Sequence, residues 1–342
     1  MRHFQRIFVG WTLASASALS AQPVYQLHDN GNLWVYTGLP CTETACPGWR
    51  LLDNHPGTRE ITAGGVPAGG FTATGAPPFA PPLYQRRSDG SIWRYTGTPC
   101  SNGSCPGWEK LDNDTAIVAI VAAGAESLYK RLGNGSVWRY TGTPCSGDSC
   151  SGWEQLDNRS TTREVIAAGT ELYQRREDGS ILRHTGAACS GGSCFGWELL
   201  DNHSSTQEIT AGLTGSRGVV LYQLRSGGEI WRYTETPCTG ASCPGWQLLA
   251  SDPATVSIVT GGDALYKQHS DGGIWRYTGS GWLQLDRDPR IRQISTGPRS
   301  LYKSHDDGTI WRFTGLPCDG ESCPGWQLLD DPVEKTIFST RN

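Results

Sequence analysis

One segment recurs seven times along this chain, and this repetition constrains the fold more than any other feature of the sequence. The clearest copy reads LYQRRSDGSIWRYTGTPCSNGSCPGWEKLDN and begins at Leu83. Repeats of this length are single supersecondary units that bury a common core by packing against their neighbours. The other six copies begin at Val24, Leu128, Leu172, Leu221, Leu265 and Leu301.

Each repeat supplies four strand-like runs: a β-branched run such as EITAGG, then LYQRR, IWRYTG and GWELLD. Asn-Gly, Asp-Gly or Gly-Gly separates the second run from the third, which predicts a two-residue hairpin turn. A solenoid is the alternative for such repeats, but no polar capping repeat is present. The pattern therefore predicts an all-β chain that forms a single seven-bladed β-propeller of four-stranded antiparallel blades.

The two ends of the repeat array are complementary. The first repeat opens at a second strand, Val24, whereas the chain closes with a first strand at 336–340, which reads TIFST. We expect residues 336–340 to pair with 24–27, because this closes the ring and removes exposed sheet edges. The propeller is then expected to span residues 22–342.

The first 21 residues have the three parts of a secretory signal. Arg2 and Arg6 form a positive region, a short apolar stretch follows, and Ala-Leu-Ser-Ala ends at Ala21. Twelve Cys residues agree with an oxidising compartment. These features predict a protein that is secreted to the extracellular space.

Charge and hydropathy exclude several classes of partner. The 29 basic and 33 acidic residues give a net charge of −4, which argues against a strongly cationic nucleic-acid binder. No apolar run of about 18 residues is present to cross a membrane. We therefore expect neither a nucleic-acid partner nor a transmembrane segment.

The sixth repeat indicates where the cysteines lie. There TGSGW replaces TGTPCSNGSCPGW, so both Cys residues are lost together while the flanking strands remain. The Cys pair therefore belongs to an extension of the turn between the third and fourth strands, and we call each such extension a staple. Zinc binding is the disfavoured alternative, because no second Cys pair lies within the same repeat. The predicted disulfides are Cys41–Cys46, Cys100–Cys105, Cys145–Cys150, Cys189–Cys194, Cys238–Cys243 and Cys318–Cys323, with no metal and no cofactor.

The short turn of the sixth repeat suggests a register for one blade. It places the aromatic side chains on one face and aliphatic side chains on the other, so that the aromatic face of one blade packs on the aliphatic face of the next. The predicted cross-strand pairs are Tyr277–Trp282, Trp275–Gln284, Tyr266–Tyr277 and Gln268–Trp275.

Catalytic motifs are absent from the sequence. It contains no G-x-S-x-G, no HExxH and no phosphate-binding Gly loop that leads into a helix. We therefore expect a non-enzymatic protein, although one catalytic centre built from loops is the less favoured alternative. The Leu-Asp-Asn runs are interpreted as Asx-type turns between blades rather than calcium ligands; they contain Asp53, Asp112, Asp157 and Asp201.

Binding is the favoured function, because the same aromatic and Arg residues recur in nearly every repeat. Aromatic rings stack on the apolar faces of sugars, and several weak sites together produce avidity. The alternative for these residues is packing alone. The candidate carbohydrate-binding residues are Trp49, Trp108, Trp153, Trp197, Trp246, Trp282, Trp326, Arg94, Arg139, Arg183, Arg232, Arg276 and Arg312.

The order of motifs resembles the repeats of tectonin-type β-propellers and related seven-bladed lectins. It is clearest in QISTGPRSLYKSHDDGTIWRFTG followed by GWQLLDD. The resemblance implies a lectin that binds glycans or glycoconjugates on cell surfaces, in clefts between neighbouring blades and without an obligatory metal. The staples are not part of that family pattern. An extracellular protein-binding scaffold that uses the broad propeller face is the alternative function.

Overall fold

The computed structural model describes residues 6–9, 11–12, 24–42, 45–66, 82–124, 127–214, 218–261, 264–297 and 300–331. All regular secondary structure in these residues is β-strand. Nearly all of the strands belong to seven four-stranded antiparallel sheets. The innermost strands contact one another in cyclic order, so the sheets form the blades of a closed ring. The predicted seven-bladed β-propeller is confirmed.

The strands are numbered along the chain, and each blade contributes one strand to each of four concentric positions. The innermost strands of blades one to seven are β1 (Arg6–Val9), β6 (Thr58–Ala63), β11 (Ile117–Ala123), β15 (Thr162–Ala168), β19 (Thr206–Thr214), β23 (Thr255–Gly261) and β27 (Ile291–Gly297). The second strands are β3 (Val24–Leu27), β8 (Leu83–Arg87), β12 (Ser127–Leu132), β16 (Glu171–Arg176), β20 (Gly218–Arg225), β24 (Ala264–His269) and β28 (Ser300–His305).

The outer half of each blade consists of a hairpin with the staple, or its short replacement, at its tip. The third strands are β4 (Leu33–Tyr36), β9 (Ile92–Tyr95), β13 (Val137–Tyr140), β17 (Ile181–His184), β21 (Glu229–Tyr233), β25 (Ile274–Tyr277) and β29 (Ile310–Phe313). The outermost strands are β5 (Trp49–Asp53), β10 (Trp108–Asp112), β14 (Trp153–Asp157), β18 (Trp197–Asp201), β22 (Trp246–Ser251), β26 (Trp282–Asp286) and β30 (Trp326–Asp330). A separate parallel pair joins β2 (Trp11–Thr12) to β7 (Gly65–Val66).

The innermost strand of blade one differs from the sequence expectation. Arg6–Val9 lies antiparallel beside Val24–Leu27, although this segment was expected to belong to the leader. Residues 336–340, which we expected in this place, lie outside the described residues. The two candidates are alike in sequence, since RIFV and TIFST are both short apolar and β-branched runs that suit an inner strand.

The hairpin turn between the second and third strands also differs from the expectation. In blade six Gln268 pairs with Ile274, Lys267 with Trp275 and Tyr266 with Arg276, so the predicted Tyr266–Tyr277 and Gln268–Trp275 pairs are wrong. The loop that joins the two strands has three residues instead of two. The Gly272 N–H donates to the carbonyl oxygen of His269 and closes a four-residue turn, and Gly272, with a φ of +88°, is the additional loop residue. The predicted pairs Tyr277–Trp282 and Trp275–Gln284, which lie across the other hairpin, are confirmed.

Apolar side chains from neighbouring blades interlock to form the core. Between blades five and six, Tyr222 and Ile230 pack against Ile258 and Leu265, with the half-buried Trp282 beside them. Each fully buried aliphatic side chain of this kind stabilises the fold by about 1.5–3 kcal/mol. The ring is therefore held by contacts between blades as much as by the sheets themselves.

Candidate functional site

Three consecutive blades place an Arg–Glu ion pair where the third strand faces the outermost strand. Arg94 contacts Glu109 at 2.5 Å, and Arg183 contacts Glu198 at 2.6 Å. The third pair, Arg139–Glu154, has the same 2.5 Å separation. The side chains of these pairs are 33–38% exposed. Each pair therefore presents guanidinium donors and carboxylate acceptors to solvent in one repeated arrangement.

The next blade supplies an aromatic side chain to the other wall of each cleft. Burial raises the pKa of Tyr140, and the guanidinium of Arg94 in the preceding blade opposes this rise. Tyr233 has the same relationship to Arg183. The hydroxyl oxygens of Tyr140 and Tyr233 are buried and have no hydrogen-bond partner among the described residues. An ion pair from one blade and a phenol ring from the next thus meet at each of these clefts.

The cleft between blades three and four has an imidazole in place of the phenol. Burial lowers the pKa of His184, and the nearby Arg139 lowers it further. His184 Nε2 lies 3.1 Å from the carbonyl oxygen of Ala187, and the Gly186 N–H donates to Nδ1 at 3.3 Å. These contacts fit a neutral ring with its proton on Nε2.

The candidate Trp residues lie where neighbouring blades meet. Six of the seven donate Nε1–H to a Leu carbonyl oxygen of the preceding blade, at 2.8–3.1 Å. Each ring also packs against the Tyr, His or Phe that ends the third strand, with centroids 5.0–5.3 Å apart. The exception is Trp282, whose Nε1 is buried without a hydrogen-bond partner in the described residues. The rings therefore join blades and leave a half-buried surface at the cleft.

The four remaining clefts lack the Arg–Glu pair. Arg232 and Arg312 contact Gln247 and Gln327, at 2.8 and 2.6 Å, and Arg276 lies opposite Leu283. In blade one the positions are occupied by Val35 and Arg50. The structure thus distinguishes three complete clefts from four incomplete ones, although the candidate Arg residues look equivalent in sequence.

The six predicted disulfides are confirmed, and the described residues contain no free Cys. Sequence reasoning missed that five of the six staples bond to the neighbouring blade. The N–H of Cys145 donates to the carbonyl oxygen of Lys110 at 3.1 Å, and Cys189 donates to Gln155 at 2.9 Å. Staples therefore cover the outer edge of the preceding blade, which is otherwise a row of unpaired backbone groups. Cys100, Cys238 and Cys318 make the same contact with Leu51, Leu199 and Gln284.

The Asp of each Leu-Asp-Asn run has a second role that the sequence interpretation missed. Asp112 Oδ1 accepts the N–H groups of Asn113 and Asp114, as expected of an Asx-type turn. Its Oδ2 accepts from Lys130 of the next blade at 2.5 Å, in a buried ion pair. The sequence does contain a signal for this ion pair. The position of Lys130 is Lys in three repeats and Gln in the other four, and a buried Lys implies a buried anion nearby.

The described residues show neither a metal site nor a membrane-spanning helix. These residues contain no group of three or more His, Cys, Asp or Glu side chains that could hold a metal ion. Within the same ranges, no helix is long and apolar enough to span a membrane. The six disulfides indicate an oxidising environment.

The fold resembles solved propeller structures, whereas no protein-family model and no curated protein sequence matches the chain. YCF48 bound to D1 peptide has a TM-score of 0.53 at 13% identity, covering 91% of this chain and 96% of that one. A chain of the mitotic checkpoint complex has a TM-score of 0.52 at 11% identity, covering 89% and 88%. Human WBSCR16 has a TM-score of 0.51 at 8% identity, covering 82% and 88%. At these identities the likeness establishes the β-propeller fold.

Proposed function

We propose that this protein is a secreted carbohydrate-binding propeller whose sites are the three consecutive clefts between blades two and five. The observation that supports the proposal is the repeated, part-exposed Arg–Glu pair beside an aromatic ring of the next blade. Ion pairs this exposed stabilise a fold by about 1 kcal/mol or less. Folding alone therefore gives little reason to repeat the pair in three neighbouring blades.

The chemistry of the clefts suits a sugar. Arg94 offers N–H donors in a plane, and Glu109 offers carboxylate oxygens at the same surface. Vicinal hydroxyls of a sugar both donate and accept, so an Arg–Glu pair can bind two of them at once. The half-buried ring of Trp153, across the cleft, adds an apolar surface against which C–H groups can pack.

The number and spacing of the clefts favour a multivalent ligand. A single sugar that contacts two polar side chains and a ring edge binds weakly, whereas three clefts on one rigid ring bind a branched or clustered glycan with avidity. The resemblance to tectonin-type lectins supports the same class of ligand. The six disulfides and the signal-like sequence at 1–21 support export, and cleavage of that segment would remove Arg6–Val9 from blade one and require residues 336–340 to take its place.

The proposal is tested by removing the three carboxylates without removing their hydrogen bonds to Arg. The variant Glu109→Gln/Glu154→Gln/Glu198→Gln gives these clefts the Arg–Gln pair that blades five and seven already contain. We expect the variant to keep its melting temperature and to lose most binding to glycan arrays, since one acceptor in each cleft is replaced by an amide.

A matched control is Glu177→Gln. Glu177 lies in the hairpin turn between the second and third strands of blade four, at the end of the blade opposite the staple, and pairs with Arg163 at 2.7 Å. Its replacement should therefore leave glycan binding unchanged. Unchanged glycan binding by the triple variant would show that the clefts are not the sites. Absence of glycan binding by the unaltered protein would refute the lectin function itself.

A further inference from the structure

The outermost strand of blade five, β22, lacks three features that most of its counterparts have. Blade six has no staple, so the covering N–H group is missing at this junction. The strand reads WQLLAS and carries no charged residue, whereas each of the other outermost strands carries at least one. Ser251 also stands where four other blades place an Asn that donates to a carbonyl oxygen of the next staple, namely Asn54, Asn113, Asn158 and Asn202.

Among the described residues, no backbone group outside blade five bonds to β22 at Leu248. Leu248 lies opposite Trp231, which is the register that Lys110 and Trp93 occupy in blade two. There the carbonyl oxygen of Lys110 points outward and accepts the N–H of Cys145. In an antiparallel ladder the N–H and C=O of one residue point the same way, so both groups of Leu248 point away from blade five. Its side chain is 46% exposed.

We propose that β22 pairs antiparallel with β22 of a second copy of this chain, across a two-fold axis near Leu248. Such a contact joins the blade-five sheets of two propellers into one continuous sheet. The two Leu248 residues then exchange backbone hydrogen bonds and bring their exposed side chains together on one face of the shared sheet.

Charge and clearance favour a second copy as the occupant. Identical strands bring identical side chains together, so a charged residue near the axis would oppose its own copy, and β22 contains none. The short TGSGW turn of blade six replaces the staple on both copies, so no staple separates the two edges. Charged residues and covering segments are the usual protection of a sheet edge, and this junction has neither. Because one strand pair is a small interface, we expect a reversible dimer with a micromolar dissociation constant.

The test is sedimentation equilibrium of the full chain over a wide concentration range. We expect a monomer–dimer equilibrium, and we expect Leu248→Lys to raise its dissociation constant by about tenfold or more because like charges then meet at the axis. Lys110 occupies the same register in blade two, so the strand accommodates this residue. The matched control is Gln155→Lys, at the same register under the staple of Cys189, which should leave the dimer unchanged.

Hydrogen exchange locates the contact independently of the variants. Amides of the peptide that contains Trp246–Ser251 should exchange more slowly as the protein concentration rises, whereas those of Trp153–Asp157 should not respond. A monomer at every concentration, or a dimer that Leu248→Lys leaves intact, would overturn the proposal. Protection of β22 by an added extended peptide in a monomeric protein would assign the edge to a different partner and would equally overturn it.

Discussion

The ammonium group of Lys267 lies 2.8 Å from the carboxylate of Asp252, although Asp252 stands two residues beyond the position where the other blades place this acid. Blade five has Ala250 at that position. The hydrogen bond from Lys267 lowers the pKa of Asp252. A carboxylate therefore reaches the cation of the next blade even where its usual position has been lost.

The junctions between blades follow a rule that involves two positions, two residues apart, on the second strand of each blade. In blades two, four and five the first of these positions is Gln and the second is Arg, as with Gln223 and Arg225 beside Asp201. Where the first position is Lys, the second carries Leu or His, as with Lys130 and Leu132. Six junctions thus combine one buried or half-buried Asp with one Arg or Lys of the next blade.

This rule predicts that a cation can be moved between the two positions. Lys130→Gln leaves Asp112 buried without its cation, so we expect a loss of about 3–5 kcal/mol in the free energy of unfolding. Adding Leu132→Arg recreates the arrangement of blades two, four and five and should recover most of the loss. Urea denaturation of the single and double variants measures both steps. A double variant no more stable than Lys130→Gln would show that the two positions do not substitute for each other.

The repeated pattern predicted the architecture because it is carried by many residues at once. Seven copies of four short strands, with the Cys pair absent from one copy as a unit, determine the number of blades and the disulfides. The register of the inner hairpin was not predictable in the same way. It depends on whether Gly272 lies within a two-residue turn or adds a residue after a longer one, and Asp-Gly suits both.

The features that lie between blades were the least predictable. Lys130 and Asp112 are 18 residues apart, and only the packing of two blades shows that they touch. The same holds for the staple of Cys145 and the edge at Lys110. Blade one adds a different problem, because Arg6–Val9 and residues 336–340 are both apolar runs suited to an inner strand, so sequence pattern alone does not decide between them.

A second prediction concerns pH. Burial raises the pKa of Glu208 to about 7, and the nearby Glu164 carboxylate contributes to the rise. The unfolded pKa is about 4.3, so the folded chain binds this proton more tightly. The group therefore stabilises the fold fully below about pH 4, and this contribution is lost as the pH rises through about 7.

The variant Glu208→Gln isolates this effect from other titrating groups. Gln retains an oxygen that can accept from the Ile258 N–H, which Glu208 bonds at 3.1 Å. We expect the stability difference between variant and unaltered protein to grow in favour of the variant between about pH 5 and about pH 8. Thermal melts across this range measure it, with Glu109→Gln as a control at an exposed site. A constant difference would contradict the assignment.

A third prediction concerns the staples. The disulfide between Cys145 and Cys150 closes a short loop and should contribute about 2 kcal/mol by restricting the unfolded chain. We expect Cys145→Ser/Cys150→Ser to lower the free energy of unfolding by this amount and to leave the blade count unchanged, because blade six already lacks a staple. Urea denaturation with circular dichroism tests both statements. A variant that fails to fold would show that this staple is required for the ring to form.

The last prediction compares two tryptophans at equivalent places. Trp246 donates Nε1–H to the carbonyl oxygen of Leu200 at 2.8 Å, whereas the buried Nε1 of Trp282 has no partner in the described residues. Replacing either residue with Phe removes a similar apolar area, so the two losses differ mainly in the hydrogen bond. An unpaired buried donor costs about 1–3 kcal/mol. Removing it offsets part of the lost packing at Trp282, whereas at Trp246 the hydrogen bond is lost as well.

We therefore expect Trp246→Phe to lower the free energy of unfolding by about 1–2 kcal/mol more than Trp282→Phe does. Equilibrium unfolding in urea measures the difference, and equal slopes of the two transitions would confirm that the same folded state is compared. Trp153→Phe is a useful third variant, since Trp153 donates to Leu111 at 3.1 Å and should behave like Trp246. Equal losses at all three positions would mean that these tryptophans join the blades through ring packing and that their N–H groups contribute little.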